Sequence, residues 1–228
     1  WGPDSIGDNT DIGHWWTWFR STNSPTYTQA VYDATNQHAS YTRPMADPGG
    51  ENEIIMFKSC YPNSNLEGDA TAAPPPIDSN PLRGQSWSEG NHTVPNAKGI
   101  YIDLLNYFET RQDKLFIVIT APPVQDGTWA DNARAFNTWL VNDWLADYPH
   151  DNVAVFDFYN ILTGPDNHHR FNNGTIEHIT MGGDTLYYPS NGDEHPNSTG
   201  NQKATGEFIP LLNIYYHRWQ AGGPPPAP

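Results

Sequence analysis

Three short apolar runs bounded by turn residues, 53–57, 115–120 and 153–158, have the length and composition of strands buried on both faces. Between the first two, Ala97, Ile100, Tyr101, Leu104, Leu105 and Phe108 recur at helical spacing behind Thr93 and Pro95, residues suited to a cap and a first turn. Ala133, Phe136, Leu140 and Trp144 repeat that pattern behind Thr128 and Asp131, which read as a capping box. A closing run sets Phe208, Leu211, Leu212, Tyr215 and Trp219 on one side of a helix that starts near Pro196, Asn197, Ser198 and Thr199. Pro210 falls inside it and should kink or split it. Strands alternating with helices predict an α/β fold of three layers, a mainly parallel sheet between helices, with right-handed crossovers.

The remaining segments lack such periodicity. In the first fifty residues, Gly2, Pro3, Gly7 and Gly13 punctuate a polar stretch. His14, Trp15, Trp16, Trp18 and Phe19 then crowd together, an arrangement expected to pack in a core or lid, with sugar stacking as the functional alternative. A short helix entered through Pro25 is expected over 24–35, and the 68–91 excursion reads as a lid, binding loop or interface. The 164–191 segment reads as a second irregular insertion. One domain is expected over 1–220, followed by a Pro-rich linker or tail, 221–228, that would tether it to a further domain outside the cell.

A formal charge of -15 over 228 residues repels nucleic acid and anionic membranes, so neither is an expected partner. Cys60, the single cysteine, leaves no internal disulfide or thiolate cluster and should behave as a small buried apolar residue. No apolar run approaches the ~18 residues of a membrane span and the sequence contains no charged-then-apolar signal peptide, as expected of a mature, processed secreted protein. Asp166, His168, His169 and His178 lack a metal-ligand spacing, and Asp8, Asn9 and Asp11 lack the rest of a calcium loop, so no cofactor or metal is expected. Asn91, Asn173 and Asn197 begin glycosylation sequons.

Candidate chemistry lies where the third strand and the closing helix are separated by a loop. Asp193 stands two residues before His195, close enough for its carboxylate to hold one imidazole nitrogen and leave the other basic; a surface turn is the alternative. Ser59, Asn63 and Asn65 follow the first strand at its carboxyl end, where open α/β sheets build their sites and where an N–H could face an oxyanion. The same residues also suit a simple turn.

Asp193-Glu194-His195-Pro196-Asn197 before a final helix resembles the last block of the SGNH (GDSL-like) hydrolases. Together with 1–9 (WGPDSIGDN), 57–65 (FKSCYPNSN) and 116–122 (FIVITAP), it is similar to a group of secreted bacterial SGNH-hydrolase-like proteins over nearly the whole chain. The resemblance implies a flavodoxin-like SGNH-hydrolase fold and an extracellular ester hydrolase, acting on acyl or acetyl groups of a glycan, with His195 as base and Asp193 as its orienter. Asn63 or Asn65 best matches the family's oxyanion Asn, although the Gly-x-Asn-Asp pattern is absent. In that group the nucleophile ends an additional N-terminal strand that this chain lacks. Asp4-Ser5-Ile6 superficially matches the Gly-Asp-Ser-Leu block, making Ser5 a candidate nucleophile, but only four residues precede it. The sheet is therefore expected to lack a central member, or to fill it from elsewhere; an uninterrupted sheet built only from the three named strands would make the missing-strand expectation wrong. A non-catalytic glycan-binding or surface-assembly protein on the same fold is the alternative.

Overall fold

The three apolar runs pair in chain order. In the computed structural model, which describes residues 6–34 and 49–222, β1 (Ile54–Lys58), β2 (Leu115–Ile119) and β3 (Val153–Phe156) form a parallel sheet of order β1-β2-β3. Register aligns Ile55, Phe116 and Val153 in one row and Phe57, Val118 and Val155 in the next, all facing one side. Leu115, Ile117, Ala154 and Phe156 face the other. Two-sided burial is why β2 and β3 read as unbroken apolar runs.

On the first face lie α1 (Ile12–Arg20), α3 (Val94–Phe108) and α4 (Ala130–Asn142), with α2 (Ser24–Tyr32) packed on α1. The second face is covered by α5 (Phe158–Leu162) and α6 (Ser198–Gly222). Helices on both sides of a parallel sheet make this a mixed α/β protein. Val94, Ile100, Leu104 and Phe108 of α3 are fully buried, and each such side chain contributes about 1.5–3 kcal/mol. Trp15, Trp18 and Phe19 of α1 are buried in the same core, so the N-terminal aromatic cluster packs rather than faces solvent. Phe19 meets Phe57, Phe108 and Phe116 with ring centroids 5.2–6.1 Å apart.

Four local expectations need correction. The capping box ahead of α4 does not form: Thr128 gives both its N–H and its hydroxyl to the Asp126 carboxylate, and the helix begins behind Trp129 without a side-chain cap. Pro210 does not split α6, which runs unbroken to Gly222, past the boundary expected at 220. Gly206, whose carbonyl loses its partner there, lies with Pro210 on the exposed side, where water can serve it. The 164–191 segment is partly regular: β4 (His168–Asn172) and β5 (Thr175–Ile179) form an antiparallel hairpin. Its turn residues Asn173 and Gly174 both have positive φ, as a two-residue Asn-Gly hairpin turn requires. Cys60 is half-buried rather than buried.

The sheet also has no interior gap, contrary to the expected loss of a central member. Both crossovers, through α3 and α4, step one place in the same direction, so the three strands end up adjacent. Among the described residues no strand pairs with the outer edge of β1, and a groove of ≈ 440 Å³ runs beside it, walled by Ile6, Trp15, Trp18 and Phe57. At the other edge the Tyr215 hydroxyl donates to the Val155 carbonyl at 2.8 Å, so part of that ladder is met by a side chain.

The hairpin is held against the sheet's end by polar pairs. His169 gives Nδ1–H to the Glu207 carboxylate at 2.8 Å, and its Nε2 accepts from the Asp157 N–H at 3.2 Å. His178 faces Asp157 at 3.3 Å. Arg134 of α4 braces the next turn, reaching Asp184, Asn160, Thr163 and the Gly183 carbonyl at 2.7–2.9 Å.

Candidate active site at the carboxyl ends of the strands

The turn that carries His195 is closed by its own backbone. Ser190 N–H donates to the His195 carbonyl at 3.0 Å, and Pro189 bridges to Pro196. Asn197 then caps α6, its side-chain oxygen accepting from Gly200 N–H at 3.1 Å. Within this turn Asp193 is fixed by donors: its Oδ1 accepts from the Ser190 hydroxyl at 2.6 Å and from the His195 N–H at 2.9 Å. Its Oδ2 lies 3.1 Å from His195 Nδ1. These donors, the Ser190 hydroxyl foremost, hold the Asp193 carboxyl below its usual range. A carboxylate only accepts, so Nδ1 carries the imidazole proton and Nε2 keeps its lone pair. The two side chains are 58% and 55% exposed, so screening weakens their charge attraction and the turn's hydrogen bonds set the geometry.

Loops after β1 and β2 place this pair at the carboxyl end of the sheet. Tyr61, in the 3-10 turn Tyr61–Ser64 that follows β1, meets the His195 ring edge-on at 5.2 Å. After β2, Gln125 gives its backbone N–H to Glu194 and its side-chain amide to the Asp193 carbonyl. His195 therefore stands at a place where an α/β sheet collects functional side chains.

The three oxyanion candidates separate by what their polar groups already do. Asn63 is buried; its oxygen accepts from Ile12 N–H at 2.8 Å and its amide donates to Asp11 at 2.7 Å and to the Cys60 carbonyl at 3.2 Å. Both amide hydrogens are used, so Asn63 staples α1 to the loop after β1. Ser59 is buried as well, accepting from the Trp15 indole N–H at 2.8 Å. Asn65 is different: its carbonyl accepts from His92 Nδ1 at 2.9 Å, while its side-chain amide makes no hydrogen bond among the described residues. Ser5 lies outside the described residues. No described serine hydroxyl bonds His195 Nε2, and Ser190, in the same turn, gives its hydroxyl to Asp193.

Asp11, Asn9, His169 and His178, weighed as metal ligands, have structural partners. Asp11 receives Asn63 and the Trp87 backbone N–H, and Asn9 accepts from the Trp18 indole. His169 and His178 serve the hairpin. Among the described residues no cluster of three or more His, Cys, Asp or Glu is arranged to hold a metal ion.

A cavity of ≈ 360 Å³ opens between the long 68–91 excursion and the loop after β2, lined by Trp87, Trp129, Glu67, Asp126, His92 and Asn65 among others. The signal for it, two tryptophans in loops rather than on an amphipathic stripe, was in the sequence at Trp87 and Trp129. His92 forms part of its wall; burial depresses its pKa, and with Nδ1 donating to Asn65, its buried Nε2 has no donor. Comparisons of the chain with protein-family models, with curated proteins and with solved structures found no match.

Proposed function

We propose that this chain is an extracellular ester hydrolase of SGNH type, built on the flavodoxin-like form of the α/β fold and removing acyl or acetyl groups from a glycan. The observation that carries the reading is the Asp193–His195 pair, 3.1 Å apart, standing at the carboxyl end of a parallel sheet. His195 Nε2 takes the proton of a serine hydroxyl as the serine oxygen attacks the ester carbonyl. His195 then returns that proton to the leaving alkoxide, and water repeats the sequence to release the acid. Asp193 keeps the proton on Nδ1 throughout. The Asn65 amide, free of other partners, donates to the oxyanion. The nucleophile is Ser5 or a serine from a segment ahead of Trp1.

Hydrolysis of an aryl acetate tests this. His195→Ala should lower kcat by orders of magnitude, and Asp193→Asn by less, since it favours the wrong tautomer. Loss on Ser5→Ala would assign the nucleophile to this chain, and retained activity would assign it elsewhere. The second reading, a non-catalytic glycan-binding or surface-assembly protein, is favoured by the absence of a described serine on His195 Nε2. It prevails if the chain, with and without an upstream segment, hydrolyses neither acetyl esters nor acetylated glycans above buffer.

A further inference from the structure

Of the nine tryptophans, Trp1 lies outside the described residues, and six of the other eight are set apart from the remaining two by what surrounds them. Trp15, Trp18, Trp144 and Trp219 donate their indole N–H to protein acceptors at 2.7–2.9 Å. Trp16 lies under Arg83, and Trp139 lies between Lys98 and Phe136. Trp87 and Trp129 alone among the described tryptophans have no ring, cation or indole N–H partner, and both line the same cavity of ≈ 360 Å³. Trp87 is 42% exposed, a large apolar surface left open to solvent.

Ser88, Asn91, Thr128 and His92 of the lining are already hydrogen-bonded, and three other polar groups keep unused capacity. Among the described residues the Glu67 carboxylate makes no hydrogen bond, Asn65 has a free amide, and Asp126 has a second oxygen unused after Thr128 has taken the first. No lysine or arginine lines the cavity, and its two carboxylates repel an anion. Indole faces with carboxylate and amide groups at their rims match a ligand whose flat C–H faces alternate with a ring of hydroxyls. The volume is at the small end for a ligand pocket, enough for a single ring.

We infer that this cavity is a binding subsite for one uncharged sugar ring of a longer glycan, with Trp87 and Trp129 as its apolar walls and Glu67 and Asp126 as acceptors for its hydroxyls. It deepens the proposed function and rests on that reading for the glycan's role as substrate. Asp126 directly follows Gln125, which holds the His195 turn, and Asn65 closes the turn whose Tyr61 meets His195. A sugar seated in the cavity therefore presents its neighbouring acylated unit along the rim toward His195. The Trp87 loop is set in place from behind: Gly13 lets the 82–85 backbone close on α1, and Asp11 accepts the Trp87 N–H at 3.2 Å.

Binding is tested on the His195→Ala protein, so the outcome does not depend on turnover. The probes are cellohexaose, xylohexaose, mannohexaose and chitohexaose, with polygalacturonate as the anionic control. In ¹⁵N spectra, at least one neutral hexasaccharide should shift the Trp87 and Trp129 indole N–H signals saturably and leave those of Trp144 and Trp219 in place. Trp87→Ala and Trp129→Ala should each weaken that binding about tenfold or more, and Glu67→Gln should weaken it with the fold unchanged by circular dichroism. The inference is overturned if no neutral saccharide moves those two signals, if the double Trp variant binds as well as its parent, or if polygalacturonate binds equally. Binding without any ester hydrolysis would sink the hydrolase reading alone; hydrolysis without binding would sink the subsite alone.

Discussion

Replacing Gly13 by Ala offers the sharpest check on how the Trp87 loop is positioned. Gly13 sits inside α1, where Ala would normally stabilise a helix by about 0.5–1 kcal/mol. Here a Cβ would meet the Leu82 and Gln85 carbonyl oxygens at 2.1 and 2.5 Å, with ordinary contact beginning at 3.4 Å. Both obstacles are backbone, so the loop must retreat by about 1 Å. That retreat strains the bond from Gly84 N–H to the Gly13 carbonyl, 2.8 Å long, and loosens Leu82, which is fully buried. Overpacking costs about 1–3 kcal/mol and a weakened hydrogen bond about 0.5–1.5, against which the helix gain is small. The expected net loss is about 2–3 kcal/mol. Gly206, also helical but with nothing within 4 Å of its Cβ position, is the matched control. Gly206→Ala should gain about 0.5–1 kcal/mol. In urea unfolding the two variants should move the midpoint in opposite directions, Gly13→Ala downward by about 1 M. If Gly13→Ala were as stabilising as Gly206→Ala, the close approach of α1 to this loop would be wrong.

Asn63→Ala should lose about 2–4 kcal/mol, because it strands the buried Ile12 N–H and a partner of Asp11, whereas Asn65→Ala should unfold within about 0.5 kcal/mol of the parent yet lower esterase kcat. Comparable stability losses in both variants would cancel the distinction drawn between them. Burial holds the imidazole pKa of His14 and of His92 below the usual range, so the unfolded chain binds protons first as pH falls. Stability from these two groups is present above the unfolded value near pH 6.5 and is lost as pH drops through the folded values. Urea unfolding at about pH 7.5 and about pH 5.5 should show the decline, and an equal or greater stability at the lower pH would contradict it.

The sheet was legible because its strands are apolar on both faces, and α3 because Thr93, Pro95 and the stripe to Phe108 agree with one another. The Thr93 cap forms as its sequence position suggests, its side chain accepting from Asn96 N–H. Thr128 shows the limit of such signals: its hydroxyl had a nearer partner in Asp126, and a local turn won over a helix cap. The Asp193–His195 contact was readable because two residues of separation confine it to one turn. Asn63 and Asn65 could not be ranked from sequence, since what divides them is a contact with Ile12 and Asp11 from fifty residues away. The Trp87–Trp129 cavity was hidden for the same reason: two irregular loops converge there, and neither carries a periodic pattern.

The central claim, that His195 activates a serine for acyl transfer, is tested most directly by covalent trapping. The chain, alone and with any natural segment that precedes it, would be treated with a serine-directed fluorophosphonate and the modified peptide located by mass spectrometry. One serine should be labelled, either Ser5 or a residue ahead of Trp1, and His195→Ala should abolish the labelling. Absence of labelling above a heat-denatured control in both forms, or labelling that survives His195→Ala, would contradict the account.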